Sequence, residues 1–285
     1  MTATPAPSQV SALDYRHQVA PRFLPTPDLW AAVEPLLPEP PGGGRPRKPA
    51  AQMFAAVFYV LTTGIQWKAL PRCLGAASTV HRRFQEWTKA GVFERLWATG
   101  LLEFDASVGL DWTWQAIDGA MVKAPLGGEA TGPNPTDRGK SGTKRHLQTE
   151  GHGLPVGLVI TGANRHDKTQ VEPVLDSMPV VSFEAEQHLC ADKGYDFDDV
   201  RSALSASGYV THILSRGQER VALKMPGYRA RRWVVEAAHS WLNRFRRLLV
   251  RWEKKVINHA ALLHLACAVI VWRRCPLTSD DYLLG

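Results

Sequence analysis

The hydrophobic periodicity changes character at about Trp112, and that change limits the folds open to this chain more than any other feature. From Ala51 to Gly91 the apolar residues recur at helical spacing. Met53, Val57, Val60 and Leu61 share one face, Gly64 breaks it, and Pro71 and Gly75 mark further turns. A second helix is predicted over Thr79–Ala90, capped by Ser78 and closed by Gly91. Beyond Trp112 the apolar runs shorten to strand length at Trp114–Val122, Lys144–Thr149 and Leu154–Thr161, the last two joined by the turn Gly151-His152-Gly153. A helix over Thr169–Ser177, a strand at His188–Asp192, a helix over Phe197–Ser207, a strand at Tyr209–Leu214 and a long helix from about Arg232 to Arg251 follow.

The resulting order, β-β-β-α-β-α-β-α, predicts an α/β fold: an antiparallel meander extended by two parallel strands with crossover helices, the ribonuclease H-like mixed sheet. An N-terminal helical domain of helix-turn-helix type precedes it. The boundaries read as a mobile tail over 1–22, a helical DNA-binding domain over 23–110, a catalytic domain over 111–275 and a C-terminal tail over 276–285. Eleven of the twenty prolines fall in the first 50 residues, and a Pro/Gly-rich arm is predicted over 38–49.

Charge narrows the partner. Between Arg229 and Lys255 stand nine Lys and Arg against two Glu, so one segment carries the whole net charge of +7. A stripe of this kind is the footprint of a polyanion binder. Arg231, Arg232, Arg244, Arg246 and Arg247 are candidate phosphate contacts, Asn243 beside them is a further candidate DNA contact, and Lys140, Lys144 and Arg145 form a second patch. Arg45, Arg47 and Lys48 lie in the arm, where a Gly-Arg-Pro-Arg stretch suits a minor groove. His81, Arg82 and Gln85 point outward from the second helix, with Arg83 at the boundary, as a groove-reading helix requires.

Three carboxylates occupy unusual places. Asp118 falls in the first, central strand, where aspartate is disfavoured. Asp192 ends the apolar run Leu189-Cys190-Ala191, in the strand expected to neighbour the first. Glu236 opens the last long helix four residues after Arg232. Three ionised carboxylates converging in a cleft repel one another unless divalent cations hold them, and Mg²⁺ or Mn²⁺ prefers such oxygen donors. Two such ions can clamp the attacking and leaving oxygens of a phosphoryl displacement.

Other readings fall away. Gly139-Lys140-Ser141 imitates the end of a Walker A loop, but Asn134 stands where its first glycine belongs, so no nucleotide site is predicted. His146, His152, His166 and His239 lack zinc spacing. The four cysteines form no CxxC pair and read as reduced thiols. Val256–Trp272 reads as a buried helix rather than a membrane span, and no secretory signal is visible at Met1–Val10. A cytoplasmic, nucleoid-associated location is expected.

Several segments together carry a family resemblance. Gly139-Lys-Ser-Gly-Thr-Lys-Arg-His146, Gly153-Leu-Pro and Thr161-Gly-Ala-Asn-Arg-His-Asp167 are similar to the second- and third-strand signature of the insertion-sequence 5 family of bacterial transposases, within the wider IS4/IS5 superfamily. Ala191-Asp-Lys-Gly-Tyr-Asp196 resembles their second-aspartate motif. The run from Arg231 to Leu248 resembles their glutamate helix. The resemblance implies that Asp118, Asp192 and Glu236 form a DDE triad holding two Mg²⁺ ions, with Mn²⁺ able to substitute, and that Arg232 is the arginine ahead of the glutamate. It implies cut-and-paste transposition: cleavage at the element's terminal inverted repeats, strand transfer into double-stranded target DNA, and at least a homodimer. Tyr228 is displaced by one residue from the wider pattern, and Asn243 replaces a basic residue after the glutamate, with Arg244 beyond it. Two other classes share these features: a metal-dependent nuclease without strand transfer, and a transposase-derived DNA-binding protein without catalysis.

Overall fold

The structure is a computed structural model that describes residues 15–39, 46–180, 186–214 and 232–276. The short helix α1 (Tyr15–Gln18) leads to α2 (Pro27–Val33), which has proline at its first position and Thr26 at its N-cap, where Oγ1 accepts the Leu29 N–H at 3.0 Å. Helix α3 (Ala50–Thr63) is buried along most of its length, and Gly64 ends it at φ +73°. That conformation favours glycine, and a Cβ there would also press on the Arg246 backbone at 3.0 Å. Helices α4 (Ala77–Lys89) and α5 (Val92–Ser107) complete the N-terminal layer.

Two expectations about this layer need correction. Helix α4 starts earlier than predicted and its N-terminus has no side-chain cap, so Ser78 lies inside the helix instead of capping it. The connection between α3 and α4, Gly64 to Ala76, carries two 3₁₀ turns at Trp67–Ala69 and Arg72–Leu74. It is therefore looser than the three- or four-residue turn of a compact helix-turn-helix. The inward stripe Val80, Phe84 and Trp87 is buried as its spacing predicts.

A mixed sheet follows, as the change in periodicity predicts. Its central strand β1 (Trp114–Lys123) pairs antiparallel with β3 (Ser141–Thr149) and parallel with β5 (Gln187–Ala191). On one side, β3 also pairs with the short β2 (Gly132–Pro133) and forms a hairpin with β4 (Pro155–Gly162). On the other, β5 pairs in parallel with β6 (Tyr209–Ile213). Helix α6 (Val171–Asp176) packs on β4, and α7 (Asp198–Ala206) on β6. Helix α8 (Trp233–Asn243) crosses β1 and β3, and α9 (Val256–Trp272) packs along α5.

Alternation along β1 divides the interior into two cores. Ala116 belongs to a large cluster shared with the N-terminal helices, α8 and α9, so the apolar interior runs continuously across the sequence boundary near residue 110. Ile117 belongs to a smaller cluster on the opposite face, with Val171, Leu189, Val200 and Tyr209. The next residue, Asp118, returns to the face that α8 covers.

The long helix expected to run to Arg251 instead ends at Asn243. The chain continues through extended Phe245 (ψ 98°) into a 3₁₀ turn at Arg246–Leu248. Tertiary partners cause the break. Arg247 turns inward to Glu253, and Arg251 is 1% exposed, donating to the carbonyls of Glu129 (2.6 Å), Glu253 (2.9 Å) and Ala130 (3.1 Å). A continuous helix would hold both guanidiniums away from those acceptors. Helix α9 is almost wholly buried, and no helix among the described residues is long and apolar enough to cross a membrane.

Candidate active site

Parallel pairing brings two aspartates to one end of the sheet. Gln115 lies beside Leu189 and Ala116 beside Cys190, and the same register carried two residues further sets Asp118 level with Asp192. Asp192 leaves the strand and accepts the Gly194 N–H at 2.7 Å, capping a 3₁₀ turn at Lys193–Tyr195. Asp118 Oδ1 accepts the N–H of Gly119 at 2.8 Å. A Cβ at Gly119 would meet the Asp167 carboxylate, which would have to shift. Glu236 comes from the first turn of α8, laid across β1 and β3. Asp118, Asp192, Arg232, Val235 and Glu236 line one cavity of about 100 Å³.

The cavity is short of positive charge. Burial raises the Asp118 carboxyl to about 6, with the charges of Asp192 and Asp167 adding to the rise; the Gly119 N–H and Arg232 oppose it. Arg232 Nη2 lies 3.8 Å from Glu236 Oε1, a loose approach on an open surface. Asp167 is neutralised locally: Lys144 Nζ donates to both its oxygens at 3.1 Å, and His146 Nδ1 lies at 3.3 Å. Burial pushes the Asp167 carboxyl up, but these two partners outweigh it and hold it below its usual range. The buried Tyr195 hydroxyl is held well above its usual range by burial, then by Asp167, Asp118 and Asp192.

The donor set suits a hard divalent cation: carboxylate oxygens of three residues around one cavity, with Arg232 alone among the described residues lining it to offset them. As the side chains stand, no three His, Cys, Asp or Glu among the described residues are drawn tightly enough to hold an ion. The fit therefore rests on the kind of donor and the shared cavity.

The candidate DNA contacts divide. Arg82, Arg244, Arg246, Lys48 and Lys140 are exposed. Arg47 donates to Glu86 at 3.0 Å, and Arg83, largely covered, lies 3.4 Å from the same carboxylate. Gln85 is half-buried; so is His81, which packs edge-on against Trp67. Arg45 and Arg231 lie outside the described residues. Three assignments are corrected. Lys144, Arg145 and Arg247 are 6%, 2% and 5% exposed. Their charges are taken up inside the protein by Asp167, by the His239–Asn243 turn of α8, and by Glu253, so none is presented to a phosphate. Asn243 is exposed, but its Oδ1 accepts from Arg145 at 2.8 Å.

Sequence reasoning passed over His239, three residues beyond Glu236 on α8. Burial and the Arg145 charge push its ring down to about 3, with the Asp118 backbone carbonyl pulling the other way. The available signal was its position one helical turn from a candidate catalytic residue.

Comparison with known proteins places these features in context. Residues 114–271 match the family described as transposase DDE domain, and residues 26–97 match DUF4096, a family described with the transposases of the IS4/5 group. A protein of Burkholderia cepacia, named as the transposase of insertion sequence element IS402, is 39% identical over 148 residues, covering 50% of this chain and 68% of that one. The corresponding protein of IS6501 from Brucella ovis is 28% identical over 134 residues, 46% of this chain and 98% of its own. Among solved structures, a pre-cleavage Mos1 transpososome aligns over 84% of this chain and 81% of that chain, at 11% identity and a TM-score of 0.27, too low to carry an argument.

Proposed function

Because the chain belongs to the DDE transposases of the IS4/5 family, we propose that it cuts double-stranded DNA at the ends of an insertion sequence and joins those ends to target DNA. The observation that carries this reading is the meeting of Asp118, Asp192 and Glu236, from three distant parts of the chain, in one cavity with Arg232. The strand order, with β1 between an antiparallel hairpin and two parallel strands, supports a ribonuclease H-like catalytic domain over 111–275 behind a DNA-binding domain over 23–110. The strand and glutamate-helix motifs favour the IS5 group within the family.

Asp118, Asp192 and Glu236 would hold Mg²⁺ or Mn²⁺, two ions in the full site. When bound, the metal supplies Lewis acidity to the attacking and leaving oxygens. Cleavage is a hydrolysis in which water adds to phosphorus, the P–O3′ bond breaks, and a 3′-hydroxyl and a 5′-phosphate remain. Joining is a transesterification: the freed 3′-hydroxyl displaces a 3′-oxygen of the target strand, which leaves with a proton, and no cofactor is consumed. Arg232, at the cavity wall, is placed to meet the phosphate undergoing exchange. Arg244 and Arg246, exposed beyond the end of α8, extend that grip along the backbone. Arg82 on α4, Arg47 and Lys48 would read the terminal inverted repeats, and bringing two ends together requires at least a dimer.

The test is incubation of the chain with a duplex carrying the element's own ends and Mg²⁺, followed by mapping of the cut termini. New 3′-hydroxyls at the element boundary that become joined to a second duplex support transposition. Cutting without joining would make the protein a nuclease, and binding without cutting a DNA-binding protein. Asp118→Asn should lower cleavage by on the order of a thousandfold or more while end binding persists. Undiminished cleavage by that variant would remove the aspartate from the chemistry.

A further inference from the structure

A buried polar cluster that the proposed chemistry does not use lies beside Asp118. Arg145, on β3, is 2% exposed, and its guanidinium makes three contacts with α8. Nε donates to His239 Nδ1 at 3.2 Å, while Nη2 donates to the His239 carbonyl at 3.2 Å and to Asn243 Oδ1 at 2.8 Å. His239 is itself 7% exposed, and its Nε2 lies 3.9 Å from Asp118 Oδ2. Nε2 has no hydrogen-bond partner among the described residues.

The chemistry of these groups leaves one arrangement of protons. A guanidinium has N–H donors only and no lone pair to offer, so the imidazole nitrogen facing Nε must be the acceptor. With Nδ1 accepting, a neutral ring carries its single proton on Nε2. That N–H is buried and approaches Asp118, whose backbone carbonyl and Oδ2 are its nearby acceptors among the described residues. A buried donor without an acceptor is costly, so the ring gains by closing on Asp118.

We propose that His239 is a positioning residue for Asp118, locked by Arg145 into the Nε2–H tautomer so that its ring N–H orients the aspartate carboxyl from behind. The two oxygens of Asp118 then differ. Oδ1 is fixed by the Gly119 N–H and Oδ2 is steered by His239, which leaves the carboxyl's remaining lone pairs directed into the cavity. Arg145 serves the same end by fastening α8, which also carries Glu236, to the strand beside β1. Supports of this kind commonly alter activity or metal affinity 10–100-fold when removed. The inference deepens the transposase reading by naming what aims one of its carboxylates.

The first test reads the proton directly. In the full chain labelled with ¹⁵N-histidine, free of DNA and metal, the His239 ring is identified by the signal lost in His239→Gln. The expected pattern is a protonated Nε2 and an unprotonated Nδ1 that changes environment in Arg145→Lys; a protonated Nδ1 overturns the proposal whatever the enzyme does. The second test separates the two ring nitrogens. Glutamine places an N–H where Nε2 stands, whereas asparagine reaches only as far as Nδ1. His239→Gln should keep cleavage within about threefold of wild type. His239→Asn should lower kcat by roughly 10–100-fold with KM for end DNA unchanged, and should weaken Mn²⁺ binding, read by electron paramagnetic resonance without DNA, by a similar factor. Equal loss in both variants, or loss in neither, overturns it. Failure of the transposase reading would show instead as cleavage surviving Asp118→Asn, an outcome that leaves the tautomer measurement untouched.

Discussion

Two carboxylates of this molecule sit in opposite electrostatic settings. Glu253 is 7% exposed and its charge is paired: Arg247 donates to Oε1 at 2.6 and 2.9 Å, while Oε2, without a hydrogen-bond partner among the described residues, lies 3.9 Å from His259 Nδ1. Burial pushes the Glu253 carboxyl up, but His259 and the Arg247 guanidinium outweigh it and hold it below its usual range. Asp118 is more open to water, yet it sits against two further aspartates with one opposing arginine and is raised to about 6. The first cluster joins parts of the fold, since Arg247 also donates to the Ile65 carbonyl at 3.1 Å and so ties the turn after α3 to the turn after α8. Among the described residues, the second holds carboxylates that Arg232 alone opposes across the cavity. Charge left in that state marks a place where something else is meant to bind.

The largest effect that would break this contrast concerns stability. Glu253→Gln leaves the Arg247 guanidinium buried without its counter-charge, and breaking such a pair typically costs about 3–5 kcal/mol. The thermal midpoint should fall by roughly ten degrees, read by calorimetry or circular dichroism. A midpoint within a degree or two of wild type would mean that the pair is not what fastens the N-terminal layer to α8.

Asp118→Asn should move stability the other way in metal-free buffer. The unfolded chain gives up this proton near 3.8 and the folded protein only near 6, so above pH 6 ionisation favours unfolding. Removing the charge should stabilise the fold at pH 7. Because about a third of the side chain still reaches water, screening limits the gain to roughly 1–2 kcal/mol. The gain should shrink as the pH falls through 6 and vanish below about 3, where the wild-type carboxyl is protonated in both states. A destabilised variant at pH 7 would place Asp118 with Glu253, as a structural charge.

Much of this contrast could be read from the sequence, and the rest could not, for a single reason. Asp118 stood out because a strand interior disfavours aspartate, Asp192 because it ends an apolar run, and Glu236 because it opens a helix behind an arginine. Each was visible locally, and so was the change from helical spacing to period two that marks where the mixed sheet begins. The inward turn of Lys144, Arg145, Arg247 and Arg251 was not visible, because Lys and Arg are seldom buried and a pattern reading assigns them to the surface. Only their partners reverse that assignment: Asp167, the His239–Asn243 turn, Glu253, and the carbonyls of residues 129, 130 and 253. All but Glu253 are distant in the chain. The same partners explain why the helix predicted to reach Arg251 stops at Asn243.

The smallest effect tests the basic segment itself, where two adjacent arginines have divided the work. Arg246 is exposed and Arg247 is buried. If binding to DNA releases counterions in proportion to the phosphates neutralised, loss of one contacting arginine should reduce the slope of log affinity against log salt by about 0.9. Arg246→Ala should show that reduction with the thermal midpoint unchanged. Arg247→Lys should do the reverse, lowering the midpoint because an ammonium cannot reproduce the paired contacts to Glu253 and Ile65, while leaving the salt slope of the folded fraction as it was. Equal slopes for Arg246→Ala and wild type would withdraw Arg246 from the phosphate contacts. The electrostatic grip would then fall to Arg232 and Arg244 at either end of α8, and the pair would no longer show neighbouring arginines serving opposite ends.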